Sequence, residues 1–236
     1  MKTIPIIRIR KGNKQRTQDI VAEEVVLKLV VNGQPIDEFS CSGDHVSELV
    51  MRYLYVHDYL TLPGDILSLE YSMDEETAFI HLKKTTPSYL DGLVGVQKSY
   101  PVDTVFAHMG AFVNLSGRFQ KTGAVHTAAI ADENSIRKSF DDLSRHNTLL
   151  MLLGHSMMQN VPLSDKMLLL TCRLTKSIMD LILKTGVRIV VTKGAPTWRA
   201  VQICIDNDIA LAGFVRGDRM NLYHGEERFT IDPENL

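Results

Sequence analysis

No stretch of this chain is both apolar and long enough to span a bilayer. The N-terminus, Met1-Lys2-Thr3-Ile4-Pro5-Ile6-Ile7-Arg8, carries basic residues without the longer apolar region and small-residue cleavage site of a secretory signal. The expectation is a soluble, cytoplasmic protein with no membrane partner. Cysteine is scarce: Cys41, Cys172 and Cys204 lie far apart with no C-x-x-C pair, which removes a disulfide framework and a zinc ribbon and fits a reducing compartment. An excess of one charge is missing too. With 26 Lys and Arg against 28 Asp and Glu the formal charge is -2, so a broad nucleic-acid footprint is not expected. The basic cluster from Arg8 to Arg16 reads as a solvated N-terminal arm without a function.

Several catalytic signatures are also absent. There is no G-x-S-x-G elbow, no G-x-x-x-x-G-K-[ST] loop and no G-x-G-x-x-G turn, which removes motif support for serine hydrolases, P-loop proteins and dinucleotide folds. A zinc deaminase needs H-x-E followed by P-C-x-x-C, whereas His126 leads into Thr127-Ala128 and no cysteine pair follows, so no metal is expected.

What remains is a folded chain of 236 residues, 44% hydrophobic, long enough to bury a substantial core. Two β-rich runs from Glu24 to Cys41 surround Asn32-Gly33 and predict a hairpin. A helix follows, with Val46, Leu49, Val50, Tyr53 and Leu54 on one face and Ser42 or Asp44 as its cap. Apolar alternation from Ile66 to Leu82 around Asp74-Glu75-Glu76 predicts a second hairpin, completing a small α+β domain over residues 1–82. Residues 83–101 read as a long irregular loop. Over 102–236 the pattern alternates. Helical spacing from Val102 leads to a glycine end at Gly123. Strands are expected over 125–131, 166–171, 187–192 and 209–215, with helices over 143–158, 175–184 and 198–207 and a frayed end at 232–236. Continuous apolar strands between amphipathic helices indicate a mostly parallel sheet covered on both faces, an α/β layered domain.

In open α/β sheets ligands bind beyond the carboxyl ends of the strands, where helix N-termini offer free N–H groups to anions. The expected strand ends carry Arg145, Arg173 and Arg216, and another supplies Lys193 with Gly194, where glycine allows close backbone approach. Arginines so placed suit phosphate or carboxylate, although Arg145 or Arg216 could instead pair with Asp141, Asp142 or Asp218. His126 reads as a ligand, a base or a hydrogen-bonded residue at a strand start, and His146 as an anion donor or a cap.

These loops resemble the FdhD family of formate dehydrogenase accessory proteins. The matching segments are Thr122-Gly123-Ala124-Val125-His126-Thr127-Ala128, Ser144-Arg145-His146-Asn147, Ala195-Pro196-Thr197 and Leu211-Ala212-Gly213-Phe214-Val215-Arg216-Gly217, with Met220-Asn221-Leu222-Tyr223 after them. Weaker similarity covers Val26 to Gly33 and the helix beyond. The resemblance implies a cytidine-deaminase-like layered C-terminal domain without the zinc site. It also implies binding of a guanine-dinucleotide form of the molybdenum cofactor, homodimerisation, sulfur transfer to that cofactor from a cysteine desulfurase, and service to a formate dehydrogenase-like oxidoreductase. The cofactor-binding residues it carries over are Thr122, Gly123, His126, Arg145, His146, Asn147, Arg173, Ala195, Pro196 and Arg216.

The chain also departs from the family pattern. The sulfur-carrying C-G-x-C segment is replaced by Gly92-Leu93-Val94-Gly95-Val96-Gln97-Lys98, T-G-G by Thr122-Gly123-Ala124, and S-G-R by Thr171-Cys172-Arg173. Cys172 stands between a strand and a helix, where backbone N–H groups and Arg173 would lower a thiol pKa; it is the candidate catalytic residue, set against the more common reading of a buried, inert cysteine. Three readings stand open: a cofactor-binding accessory protein, a sulfurtransferase using Cys172, and a non-catalytic dimeric interaction scaffold.

Overall fold

The computed structural model describes residues 1–83 and 98–231. Most of the expected 83–101 loop, and the expected frayed end, lie outside the described residues. The chain opens on a hairpin, β1 (Lys2–Arg10) and β2 (Asn13–Val21), turning at Lys11-Gly12. The basic cluster read as a solvated arm is therefore the tip of this hairpin. Its residues are nevertheless mostly exposed.

The next strands are β3 (Val25–Val31) and β4 (Gln34–Cys41), then α1 (Val46–Val56), β5 (Ile66–Ser72) and β6 (Thr77–Leu82). The strands form a sheet of order β4-β3-β6-β5. Asn32 and Gly33 both take positive φ, 49° and 80°, the backbone of the tight turn whose twist matches a hairpin. Leu27, Leu29 and Val31 alternate inward against Val46, Leu49, Val50 and Leu54 of α1. The helix entry differs from expectation. His45 occupies the N-cap in the left-handed region and no side chain caps the helix. Ser42 instead donates its N–H to Asp142 at 2.7 Å, and the Asp44 carboxylate pairs with Arg118.

The remainder contains β7 (Tyr100–Pro101), α2 (Val102–Phe112), α3 (Gly117–Thr122), β8 (His126–Ala131), β9 (Ile136–Asp142), α4 (Arg145–Met158), β10 (Met167–Leu170), α5 (Lys176–Leu183), β11 (Ile189–Thr192), α6 (Trp198–Asp206), β12 (Ala210–Arg216), β13 (Arg219–His224) and β14 (Phe229–Thr230). Six strands form one sheet, β13-β12-β11-β10-β8-β9. It is mixed rather than mostly parallel, because only β10·β11 and β11·β12 pair in parallel. The expected pattern missed β9 and β13, which pair antiparallel to their neighbours at the two edges.

Both faces of this sheet are covered. Leu168 and Leu170 face one core with α1 and α4, while Met167 and Leu169 face the other with Val105, Met109 and Phe112 of α2. The continuous apolar run of β10 follows from that double burial. The first core also includes Leu27, Leu29 and Ile80 from the smaller sheet, so one apolar interior joins the two sheets through α1 and α4. These helices approach so closely that a Cβ added at Gly154 would lie 1.9 Å from the Glu48 carbonyl oxygen.

That contact makes Gly154→Ala an overpacking substitution, expected to cost about 2–3 kcal/mol in urea unfolding. At Gly110, on α2, a Cβ meets nothing within 4 Å. Gly110→Ala should accordingly be neutral or stabilising by up to about 1 kcal/mol. Equal effects of the two substitutions would contradict the close α1–α4 crossing.

Candidate functional site at the strand-end edge

Strand direction decides what meets at the sheet edge. β8 runs antiparallel to both β9 and β10, and β10, β11 and β12 run parallel. The carboxyl ends of β9, β10, β11 and β12 therefore share one edge with the start of β8. That edge carries Arg145 just beyond β9, Arg173 beyond β10, Lys193 beyond β11, Arg216 at the end of β12 and His126 at the start of β8. At about 4.8 Å per strand these positions span on the order of 20 Å.

A cleft of about 310 Å³ opens there, lined by Gly123, Ala124, His126, Thr127, Thr171, Lys193, Gly194 and Arg216, with Val113, Phe119 and Val125 as its apolar wall. Its floor is tied by Thr127 and Thr171. The Thr127 N–H donates to Thr171 Oγ1 at 2.9 Å, and the Thr171 N–H donates to the Thr127 carbonyl at 3.1 Å. Gly123 closes α3 in the left-handed region with φ 65°, as its position predicted. Thr122 supports that turn by donating to the Arg118 carbonyl at 2.8 Å and accepting from the Ala124 N–H.

Among the described residues, Arg145, Arg173 and Arg216 form no ion pair. Two of the three acids that could have neutralised them, Asp141 and Asp142, are engaged elsewhere, and Asp218 pairs with none of the three arginines. Asp141 holds Arg118 at 3.1 Å and accepts from Ser116, while Asp142 accepts from the N–H groups of Ser42 and Ser144 and from Asn147. Arg145 Nε is buried with no hydrogen-bond partner. Buried donors are nearly always partnered, and a vacant one costs about 1–3 kcal/mol or more when charged.

The arginines act on the histidines. His126 is half-buried and its pKa is lowered, first by burial and then by the positive charges of Arg145 and Arg173. His146 is lowered by burial and by Arg145, and its Nε2 lies 3.0 Å from Ser177 Oγ. Both imidazoles are thus biased towards the neutral form.

Other expected residues have mainly architectural positions. Asn147 is buried, with its amide nitrogen donating to the Ser40 carbonyl at 2.8 Å and to Asp142 at 2.9 Å, so it joins α4 to the smaller sheet. Ala195 accepts the Leu174 N–H at 3.0 Å and Pro196 bridges Leu174, binding the Arg173 loop to the Lys193 loop. Gly194 is required for packing between these loops: a Cβ there would lie 2.5 Å from the Cys172 carbonyl oxygen.

Cys172 corrects the expectation of an activated thiol. It is 2% exposed. Burial pushes its pKa up to about 11, outweighing the opposing influence of Arg145 and Arg173. Cys41 and Cys204 are also buried, and burial pushes them up to about 11 and about 12. One feature of the edge escaped sequence reasoning. The β12·β13 ladder shifts register between Gly213 and Arg216, and Phe214 takes φ 54°, strained for an aromatic residue. This bulge interrupts the ladder immediately before Arg216; a Gly-Phe pair in an apolar strand is its faint sequence trace.

The fold is thus a mixed α/β sheet with a cleft at its strand ends, where Lys193 and Arg216 line the cleft and Arg145 and Arg173 lie on the same edge outside that lining. The chain belongs to the FdhD/NarQ family, whose model matches residues 88–230. It is 27% identical over 258 residues to the sulfur carrier protein FdhD of Bacillus pumilus, covering 95% of this chain and 96% of that protein. The sulfur carrier protein FdhD of Halalkalibacterium halodurans is 29% identical over 254 residues, with 96% and 94% covered. The crystal structure of a formate dehydrogenase accessory protein from Desulfotalea psychrophila has the same fold, with TM-score 0.85 at 17% identity over 97% of this chain and 99% of that one.

Two outcomes follow from the site electrostatics. His126 should titrate below 6.5 in nuclear magnetic resonance spectra, and Arg145→Ala should move its pKa upward. Because folding depresses this pKa, the linked stability is present above the unfolded value of about 6.5 and lost as pH falls through the folded one. A pKa unmoved by Arg145→Ala would contradict the arrangement. Iodoacetamide should modify native Cys172 at least about 100-fold more slowly than the unfolded chain, as read by mass spectrometry, since thiol reactivity requires access and ionisation.

Proposed function

We propose that the strand-end cleft binds the phosphate-bearing part of a guanine-dinucleotide molybdenum cofactor, and that the chain serves maturation of a formate dehydrogenase-like oxidoreductase. The observation that carries this reading is the row of strand-end cations lacking counter-ions, of which Lys193 and Arg216 line the cleft, while Arg145, outside that lining, keeps a buried Nε without a partner. A phosphate suits such a donor set because charge-assisted hydrogen bonds from guanidinium groups to phosphate are strong and directional. Arg145, Arg173, Lys193 and Arg216 would hold phosphate oxygens. His126, kept neutral, retains one ring donor and one acceptor for the nucleotide. The molybdenum centre would supply its redox chemistry in the enzyme that receives it; this chain's residues bind and orient.

The family membership and the names of the relatives support an accessory role, and the cytidine-deaminase-like layering and a homodimer belong to the same reading. Sulfur transfer by this chain's own thiols is not part of it. All three cysteines are buried, with pKa values at or above about 11, so a cysteine desulfurase meets no exposed thiolate to load. The sulfurtransferase reading based on Cys172 is disfavoured for that reason.

Isothermal titration with GDP tests the proposal. Binding is expected to saturate at one GDP per chain, and Arg145→Ala and Arg216→Ala should each weaken it by about 10–100-fold, the value of one charge-assisted contact. A non-catalytic scaffold would have no such affinity to lose. Absence of GDP binding by the parent chain would overturn the proposal.

A further inference from the structure

A second cavity lies at the other end of α4, roughly 20 Å along that helix from Arg145 at about 1.5 Å per residue. Its volume is about 480 Å³, within the range of about 300–1,000 Å³ usual for small-molecule pockets. Its wall is amphipathic: Leu62, Leu153 and Met157 provide apolar surface, and Arg52 and Lys184 provide positive charge. No aspartate or glutamate lines it among the described residues.

Arg52 is the unusual feature. It is only 3% exposed, and no carboxylate lies within ion-pair distance among the described residues. Its Nη1 approaches Met157 Sδ at 3.2 Å, and Nη2 makes long contacts to the carbonyls of Leu181 and Lys184 at 3.4 and 3.3 Å. Those carbonyls terminate α5 and offset part of the charge through the helix dipole. The guanidinium also lies 4.7 Å from the centre of the Tyr55 ring. Its Nε remains buried without a partner. Although burial lowers the pKa of Arg52 to about 10, the group is still a cation at neutral pH.

A buried cation with a vacant donor beside an apolar hollow matches an anion that is itself largely apolar. Ser156, Asn160, Ser164 and Thr185 add polar groups to a wall that is otherwise mostly apolar; a phosphate dianion is too strongly hydrated for such a surface, whereas a carboxylate carries a single charge and tolerates a hydrocarbon body. We propose that this cavity binds an amphipathic monocarboxylate, with its carboxylate on Arg52 and Lys184 and its chain against Leu62, Leu153 and Met157.

The test is titration of the full chain with decanoate below its micellar concentration, read by calorimetry and by thermal shift. Saturable binding at one per chain and a raised melting temperature are expected. Arg52→Met should weaken binding by about 10-fold or more. Leu62 is 51% exposed. Leu62→Glu should therefore leave the fold intact while placing a repelling carboxylate in the cavity wall, and should also weaken binding if Arg52→Met fails to fold. Decyltrimethylammonium, which has the same tail and the opposite charge, should not bind. Non-saturable decanoate binding, undiminished affinity in both variants, or equal binding of the cationic analogue would each overturn the proposal. GDP should leave decanoate affinity unchanged, so either ligand can fail without affecting the other result.

Discussion

Asp142 is a buried carboxylate with several donors aimed at it, and the position of the arginine edge depends on it. It is fully buried at the last residue of β9, where it accepts the N–H groups of Ser42 and Ser144 and the side-chain amide of Asn147 at 2.7–3.0 Å. Such hydrogen bonds make a buried charge tolerable, and the start of α4 contributes the positive end of its dipole. Ser42 follows β4, and Asn147 reaches back to Ser40 on that strand. A single group therefore ties the smaller sheet to the turn that places Arg145 at the first position of α4. The close contact of Gly154 with Glu48 fixes the same two units farther along that helix.

With Asp141 and Asp142 occupied, the strand ends retain positive charge that the described residues do not neutralise. The charge of this edge adds to burial, the larger cause, in depressing the pKa of His126, and Arg145 Nε is left without an acceptor. The thiols follow the opposite logic, because their burial outweighs the nearby arginines. The strand-end cations and the thiols are thus set apart physically, the former by uncompensated charge and the latter by desolvation.

Much of this arrangement was legible in the residues. Asn32-Gly33 announced a hairpin because both positions need positive φ, and the runs Met167–Leu170 and Ile189–Thr192 announced central strands because both their faces are buried. Arg173 and Arg216 were legible at strand ends for the same reason, whereas Arg145 was expected after the 125–131 strand and follows β9 instead. Edge elements were harder. Ile136–Asp142 buries only Phe140 and Asp142 fully, so its polar residues read as loop, and β1 and β2 are nearly all exposed. The α1 cap was misread because Ser42 and Asp44 bond to residues about 100 and 74 positions away, which no local pattern encodes. For Cys172 the sequence neighbours left activation and inert burial both open, and burial in the core decides for the second.

The central claim is that Arg145 Nε is vacant because an anion belongs there. A crystal structure of the chain with GDP tests it most directly. The account predicts a phosphate oxygen within about 3 Å of Arg145 Nε, with His126 and Arg216 bordering the same ligand. A bound GDP whose phosphates lie elsewhere, leaving Arg145 Nε without an acceptor, would contradict it.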